Sequence, residues 1–343
     1  MNVISIEKGL GMEEKLTAYI RAQFPEATAI RLLNLQRVAH GASRECYNFD
    51  LELQAGGAIE VRPCMLRRDP TASLLESERD VEFRILRSLE NSGVPVPKVY
   101  WLECDPSVLE RPFLVMERLT GEVTASFQML GGEDATFRKE IANQAVAVLA
   151  KIHTLDYEKY GLDFLGVPKS PTGYAEAQID HWEGVVNRTK LEPQPVLSEA
   201  ILWLRAHIPP AKQTTFVHGD FKTDNIMYEG NKIKAMLDWE MAAIGDPIAD
   251  LGWLSLGYYE VNGLLSGLIS RDDLISQWEK LSGYKVDEES LFFWTVFSNV
   301  KMAAICLTGG HSFATGATRS LLMPTVAYLT PKLLWDITEL LRF

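Results

Sequence analysis

The chain has 343 residues, 47% of them hydrophobic and 23% charged, so its composition is that of a folded globular protein and excludes collagen-like and disordered classes. The formal net charge of −12 disfavours non-specific attraction to nucleic acid or to anionic membranes. A chain of this length exceeds the usual size of a single hydrophobic core and is expected to form two lobes.

The N-terminal segment lacks a basic region followed by an apolar stretch of signal-peptide length, and no later run is expected to be long and apolar enough to span a bilayer. The cysteines are widely spaced and form no CxxC pair, which argues against a zinc or redox motif; they are Cys46, Cys64, Cys104 and Cys306. These features predict a cytoplasmic protein without a nucleic-acid or membrane partner.

Residues 1–117 are predicted to form a small lobe with an accessory N-terminal helix over Met12–Phe24, where apolar residues recur every four positions. Alternating apolar residues and turn signals predict five antiparallel strands, at Leu33–His40, Cys46–Leu53, Ile59–Arg68, Lys98–Glu103 and Pro112–Arg118. The Gly56-Gly57 pair is the predicted turn between the second and third strands, and Ser73–Leu89 is the predicted main helix.

Residues 118–343 are predicted to form a larger, mainly helical lobe, which makes the fold class α+β. Its first helix starts near Phe137 and ends near Leu155. Later helices are predicted at Ser198–His207, Pro247–Tyr259, Ser270–Leu281, Glu288–Leu307 and Ser320–Leu341. A compact stretch over Phe216–Glu240 interrupts them and contains two short apolar strands.

The densest polar segment is His218-Gly219-Asp220-Phe221-Lys222-Thr223-Asp224-Asn225, which has apolar residues on both sides. Another acid, Asp238, follows the next apolar strand, so the two strand ends can bring Asp220 and Asp238 face to face. Phosphoryl transfer needs a carboxylate that orients the attacking hydroxyl and accepts its proton, and oxygen ligands that hold magnesium on the nucleotide phosphates. We therefore predict Asp220 as the base, Asn225 and Asp238 as magnesium ligands, and Lys222 as a cation for the transferred phosphoryl group.

This segment resembles the catalytic loop of the aminoglycoside phosphotransferase and choline kinase-like family, relatives of protein kinases, and Asp238-Trp239-Glu240 resembles the metal-binding segment of that family. The resemblance extends from about Val38 to Leu254 and implies a two-lobed protein-kinase-like fold with a nucleotide in the cleft. It further implies Mg²⁺, ATP or GTP as the phosphoryl donor, and a small-molecule hydroxyl as the acceptor. The kinase-like domain fused to some acyl-CoA dehydrogenases is a close branch.

A kinase fold also requires a cationic strand residue paired with an acid on the small-lobe helix. Arg67 stands where kinases carry a lysine, and Glu82, or Glu78 one turn earlier, is its predicted partner. A guanidinium still binds phosphate, as a planar fork instead of a point charge, and Arg is familiar here in the dehydrogenase-fused branch. The alternative for Arg67 and Glu82 is a surface ion pair without a functional role.

The loop His40–Glu45 holds a single glycine and lacks the G-x-G-x-x-G pattern of protein kinases. The resemblance implies that Ser43 caps the nucleotide phosphates, and that backbone groups of Glu117 and Leu119 bind the nucleobase. His218 and Asp250 are expected to brace the catalytic loop, and Asp246 to cap the helix that follows. His153 is expected to be structural. An aromatic cluster is expected in the core, namely Trp182, Phe292, Phe293 and Trp294.

Two other functions are weighed against this one. A metal-dependent hydrolase would use His218, Asp220, Asp224 and Asp238 as ligands, but the remaining histidines show no grouping at dinuclear spacing. A non-catalytic nucleotide-binding or scaffold protein is suggested by Arg67 and the sparse glycine loop.

The acceptor stays open between an aminoglycoside, another amine, a hydroxy acid, an acyl derivative and another metabolite, and a homodimer is also left open. Recognition of the acceptor is expected in the helical segments Tyr174–Lys190 and Tyr258–Phe313.

Overall fold

The structure, a computed structural model, describes residues 4–38, 45–68, 79–123 and 135–342, without the side chains of residues 4–10 and of Arg79. The contacts between residues divide the chain into two compact units. Unit 1 comprises Met1–Arg87 and Pro97–Thr120, and unit 2 comprises Ser88–Val96 and Gly121–Phe343.

Unit 1 is built on one antiparallel sheet whose strands are ordered β1-β2-β3-β5-β4. The elements of this part of the chain are α1 (Ile4–Gln23), β1 (Ala29–Arg37), β2 (Glu45–Ala55), β3 (Ala58–Arg68), α2 (Arg79–Leu89), β4 (Val99–Glu103), α3 (Pro106–Leu109) and β5 (Phe113–Glu117). The predicted five-stranded antiparallel sheet is confirmed. Gly56 and Gly57 form the turn between β2 and β3, with φ values of +57° and +83°, in the left-handed region that favours glycine.

The core of unit 1 lies between α1 and the sheet. Leu16 and Ile20 project from one face of α1 and are fully buried against Phe49, Leu51 and Leu66 of β2 and β3. The four-residue spacing on the helix and the two-residue spacing on the strand put these side chains on facing surfaces. Their burial holds the N-terminal helix on the sheet.

Unit 1 differs from the prediction in several places; helix α1, for example, begins at Ile4 and not at Met12. Strand β1 begins at Ala29, not at Leu33, because a register shift between Leu33 and Gln36, with Asn34 at φ +58°, carries the strand across a bulge. The short helix α3 was not predicted; the Asp105 carboxylate accepts a hydrogen bond from the Ser107 N–H at 2.8 Å and begins it. The first part of the predicted helix, residues 73–78, lies outside the described residues.

Unit 2 is mainly helical and holds two small antiparallel sheets, β10-β7 and β6-β8-β9. Its elements are β6 (Glu122–Val123), α4 (Ala135–His153), α5 (Gly173–Thr189), α6 (Pro195–Ala206), β7 (Thr215–Val217), β8 (Ile226–Glu229), β9 (Lys232–Met236), β10 (Ala243–Gly245), α7 (Ile248–Leu254), α8 (Arg271–Ser282), α9 (Glu288–Ala314), α10 (Leu322–Ala327) and α11 (Thr330–Leu341). The small strands carry the polar segment singled out in the sequence.

Helix α9 has 27 residues, packs against α5, α6, α7, α10 and α11, and forms the centre of unit 2. By length and composition alone it could cross a membrane, so the expectation that no such segment exists is wrong. Of its most apolar window, 78% is buried inside the protein, as in a core helix.

Two predicted helices are broken in the structure. The helix predicted at Pro247–Tyr259 ends at Leu254, and a separate 3₁₀ turn follows at Gly257–Tyr259, since glycine is a weak helix former. The helix predicted at Ser320–Leu341 is two helices, α10 and α11. Pro331 stands in the first turn of α11, where its missing N–H is tolerated, and it could not lie inside one continuous helix.

Candidate active site

The loop after β7, which carries His218, Gly219 and Asp220, is held by the carboxylate of Asp250. Asp250 Oδ2 accepts a hydrogen bond from the His218 N–H at 2.8 Å, and Oδ1 accepts one from the Gly219 N–H at 2.7 Å. Asp250 lies in the first turn of α7 and is fully buried. Two successive peptide groups of the loop are thereby fixed to a helix, as expected for a bracing residue.

The same carboxylate contacts a buried chain of side chains. His153 Nε2 donates to Asp250 Oδ2 at 3.0 Å, because His153 Nδ1 already accepts a hydrogen bond from the Trp278 indole at 2.9 Å. Burial by itself would raise the pKa of Asp250, but the hydrogen bonds from the His153 ring and the His218 N–H outweigh it and hold this pKa below its ordinary value. Asp250 is therefore a well-satisfied carboxylate.

Gly219 is required by the shape of the loop. Its φ is +78°, and a β-carbon at this position would lie 2.2 Å from the carbonyl oxygen of Met241. No side chain fits there, so only glycine can occupy this position of the loop.

Asp220, 6% exposed, accepts four hydrogen bonds from side chains, three on its carboxylate and one on its backbone oxygen. Asn225 Nδ2 donates to its Oδ2 at 2.7 Å and to its backbone oxygen at 2.9 Å. Lys222 Nζ lies 2.8 Å from Oδ1 and 2.9 Å from Oδ2. The structure thus brings together the predicted base, the predicted catalytic cation and one predicted metal ligand.

Asp238 reaches the same region through the β8–β9 hairpin. Ile226 at the start of β8 pairs with Met236 at the end of β9, and the Leu237 N–H continues the ladder by donating to the Asn225 carbonyl at 2.8 Å. Asn225 and Asp238 therefore flank the same end of the hairpin. Asp238 itself has φ +56° and ψ +66°, a left-handed conformation that is uncommon outside glycine and tends to occur at functional sites.

His218 joins these two segments. Its Nε2 donates to the Leu237 carbonyl at 3.1 Å, its Nδ1 accepts from the Asp220 N–H at 3.2 Å, and its ring centroid lies 4.5 Å from that of Trp239. Burial lowers the pKa of His218, which favours the neutral ring that this pattern requires. The contacts are those of a bracing residue.

The oxygen atoms at this end of the hairpin suit magnesium. Asn225 uses its Nδ2 for both hydrogen bonds to Asp220, so its side-chain oxygen Oδ1 remains able to act as a ligand. Together with the Asp238 carboxylate it could supply hard oxygen donors of the kind with which proteins hold magnesium on nucleotide phosphates. The alternative hydrolase site is not supported, since within the described ranges no three His, Cys, Asp or Glu side chains are grouped to hold a metal ion.

Lys222 is more than a solvated side chain. Its side chain is 18% exposed, and its ammonium lies 5.6 Å from the centroid of the Tyr259 ring. Burial lowers the pKa of Lys222, but the charge of Asp220 and the other neighbours outweigh it and raise the pKa, so the side chain stays cationic throughout the physiological range. A fixed positive charge therefore lies beside the candidate base.

In unit 1, Arg67 and Glu82 form a close ion pair. Arg67 Nη1 lies 2.7 Å from Glu82 Oε1, and their side chains are 12% and 2% exposed. This burial separates the pair from an ordinary surface ion pair. Glu78, the other predicted partner, lies outside the described residues.

Replacing Arg67 by Met should lower the free energy of unfolding by about 2–3 kcal/mol, somewhat less than a fully buried pair because Arg67 keeps some exposure. The variant leaves the buried Glu82 carboxylate without this cation. The double variant Arg67→Met with Glu82→Leu should regain most of the loss, and urea unfolding measures both. A single-variant loss below about 0.5 kcal/mol would instead identify a surface-type pair.

The remaining predicted nucleotide contacts stay predictions. The Glu117 N–H donates to the Lys98 carbonyl at 2.8 Å, so this one of its two backbone groups is already used within the protein. Leu119 follows β5 within unit 1. Ser43 lies outside the described residues.

The residues assigned to structural roles mostly have them. Asp246 accepts hydrogen bonds from the Ile248 N–H at 3.0 Å, at the start of α7, and from the Trp294 indole at 2.9 Å. Trp182, Phe293 and Trp294 are buried, but Phe292 is 39% exposed and does not belong to the core. It lies on the outer face of α9, against Trp203.

Lys301 is the site residue that sequence patterns did not identify. It lies within the apolar helix α9, is 6% exposed, and donates from Nζ to the Gly219 carbonyl at 2.6 Å. The only available signal was a lone charge in the apolar stretch Val300–Leu307. No spacing rule connects that position with a loop 82 residues earlier.

Comparison with known proteins gives one family match. The sequence model of the family described as "Phosphotransferase enzyme family" matches residues 34–284. Acyl-CoA dehydrogenase family member 10 of Mus musculus is 33% identical over 231 residues, which cover 66% of this chain and 20% of that protein. The chain spans between a fifth and just over a third of the length of the curated relatives it matches.

Solved structures share the fold. A protein of Ralstonia eutropha, provisionally described as an aminoglycoside phosphotransferase, has a TM-score of 0.73 and 24% identity, with coverage of 95% of this chain and 98% of its own. A thermostable mutant of aminoglycoside phosphotransferase APH(4)-Ia, in ternary complex with ADP and hygromycin B, has a TM-score of 0.59 and 16% identity with the same coverage. The predicted fold class is confirmed.

Proposed function

The chain belongs to the phosphotransferase enzyme family, and from this premise we propose that it transfers the terminal phosphoryl group of ATP or GTP to a hydroxyl group of a small molecule. The family resemblance identified from the motifs is confirmed. Donor, acceptor and residue roles are the proposal, and the observation that carries them is the set of contacts around Asp220.

Asp220 is proposed as the base. Its two oxygens offer about four acceptor positions, and Lys222 and Asn225 occupy three of them. The remaining position suits the acceptor hydroxyl, which Asp220 would orient and deprotonate as its oxygen attacks the terminal phosphorus and the bond to the diphosphate breaks. The proton passes to Asp220, and the nucleoside diphosphate leaves.

The cationic groups have separate roles in this proposal. Lys222 would neutralise charge on the transferred group, and the paired Arg67 would bind nucleotide phosphate. Asn225 and Asp238 would hold magnesium, which neutralises phosphate charge when bound. The intact set of Asp220, Asn225 and Asp238 disfavours a purely non-catalytic nucleotide-binding protein.

Two chemical classes of small molecule are proposed as candidate phosphoryl acceptors. One neighbour of the same fold binds hygromycin B, which places aminoglycosides and other amines in the first class. The relatives named as acyl-CoA dehydrogenases place hydroxy acids and acyl derivatives in the second. A homodimer, a cytoplasmic location, and the absence of nucleic-acid and membrane partners stay predictions.

Asp238→Ala tests the metal site. Isothermal titration with ATP and with GTP should show magnesium-dependent binding to the wild type. The variant should weaken it by more than the roughly 10–100-fold that loss of an outer partner of a metal ligand costs.

Asp224→Ala is the matched control, because Asp224 is a ligand only in the hydrolase hypothesis. It should leave nucleotide affinity nearly unchanged. Unaltered affinity in Asp238→Ala would remove Asp238 from the site, and equal losses in both variants would favour a metal site of another kind.

A further inference from the structure

Lys301 is a buried cation that stability does not explain. In the described part of the chain no carboxylate lies within ion-pair distance of its ammonium, and its neighbours are the rings of Trp253 and Trp182, 4.4 and 5.7 Å from Nζ to the centroids. Burying an ammonium costs several kcal/mol, and an apolar side chain of the same length would avoid this cost. The pKa of Lys301 is lowered to about 8, chiefly by burial.

The one hydrogen-bond acceptor that the described residues offer Lys301 is the carbonyl of Gly219. That carbonyl belongs to the peptide group between Gly219 and Asp220, whose N–H donates to His218 Nδ1. Asp250 holds the two preceding N–H groups. Lys301 is thus the contact that fixes the carbonyl side of the peptide leading directly into the candidate base.

This restraint matters because of the residue it holds. Gly219 has no β-carbon and a positive φ, so its own conformational preference does not prevent the 219–220 peptide from rotating. Rotation would swing the Asp220 side chain away from the place where an acceptor hydroxyl can meet it. A misplacement of about 1 Å can cost about 10²-fold in rate.

We propose that Lys301 is a positioning residue for phosphoryl transfer, and that it acts by holding the Gly219–Asp220 peptide so that the Asp220 carboxylate faces the acceptor hydroxyl. The proposal rests on the proposed function of Asp220. The charges of Asp220 and Asp250 favour the cationic form of Lys301, and the charge of Lys222 opposes it.

Lys301→Met tests this, because Met matches the length and apolar surroundings but lacks the donor and the charge. With the acceptor unidentified, the assay is magnesium-dependent release of phosphate from ATP and GTP, in which water takes the place of the acceptor hydroxyl. The variant should release phosphate about 10–100-fold more slowly. Its magnesium–nucleotide affinity should stay within about threefold, and its thermal stability should be equal or higher.

The same change in an Asp220→Asn background separates positioning from a general effect. If Lys301 acts through Asp220, the double variant should be no slower than Asp220→Asn alone, since residues acting as a unit are not additive. Lys280→Met, an exposed lysine of α8, is the control for loss of one charge and should match the wild type. Lys301→Gln, one atom shorter and still a donor, serves if the Met variant does not fold.

The outcomes divide the two proposals. Wild-type rates in both Lys301 variants, or an equal slowing with and without Asp220, would overturn the role of Lys301 and leave the proposed function intact. A wild-type protein that neither binds magnesium nucleotide nor releases phosphate would overturn the proposed function, and the role of Lys301 with it.

Discussion

Asp220→Asn should lower the rate of phosphoryl transfer by about 10²–10⁴-fold and leave magnesium–nucleotide affinity within about threefold. The carboxamide has nearly the shape of the carboxylate but cannot take the hydroxyl proton. It also turns one acceptor into an NH₂ group that faces donors, because Lys222 and Asn225 both donate to Asp220. This one substitution therefore removes the base and also weakens the hydrogen bonds that orient the side chain of residue 220.

Phosphate release under single-turnover conditions measures the rate, and titration calorimetry measures the affinity. Asp224→Asn is the matched control, since it removes the same charge four residues along the chain and should keep the wild-type rate. Full activity in Asp220→Asn would contradict the mechanism. A parallel loss of nucleotide affinity would assign Asp220 to binding instead of proton transfer.

Local patterns predicted those parts of the molecule whose geometry is set by neighbours in sequence. The two-residue alternation and the Gly56-Gly57 turn predicted the hairpin of β2 and β3. The polar segment His218–Asn225 placed Asp220 and Asn225 close together in sequence, and the structure adds the hydrogen bond between them. The Arg67–Glu82 pair followed from what a kinase-like fold requires, not from periodicity.

The features that sequence patterns did not predict depend on contacts between segments that are far apart in the chain. His153 and Asp250 are 97 residues apart, and Trp278 reaches His153 across 125 residues. Their hydrogen bonds exist only after α4, α7 and α8 have packed, so a sequence pattern shows buried polar residues without their partners. Lys301 is the same case, because the apolar pattern of its helix gives no sign of its hydrogen bond to the Gly219 carbonyl.

Asp250→Asn should lower the free energy of unfolding by about 3–5 kcal/mol at neutral pH. The carboxylate accepts hydrogen bonds from His153 and from the N–H groups of His218 and Gly219. An amide has one acceptor oxygen and places an NH₂ group against at least one of these buried donors. The loop should loosen as well, so the rate of transfer should fall with stability.

The pH dependence identifies the cause of this loss. The pKa of Asp250 is lower in the folded protein than in the unfolded chain, so its contribution to stability is present above the unfolded carboxyl pKa of about 4 and is lost as the pH falls through the folded value. The difference in unfolding free energy between the wild type and Asp250→Asn should therefore shrink in acid. Urea unfolding at neutral pH and at successively lower pH values measures it.

Asp246→Asn is the control with the opposite sign. Burial raises the pKa of Asp246, so the folded protein binds the proton more tightly than the unfolded chain, and this carboxyl weakens the fold as the pH rises through the window between the two pKa values. Relative to its Asn variant, the wild type should gain stability in acid at Asp246 and lose it at Asp250. The difference in unfolding free energy between the wild type and each variant should therefore change with pH in opposite directions for these two buried acids. A change in the same direction for both would show that the charge of Asp250 does not stabilise the fold through its hydrogen bonds to the His218–Asp220 loop.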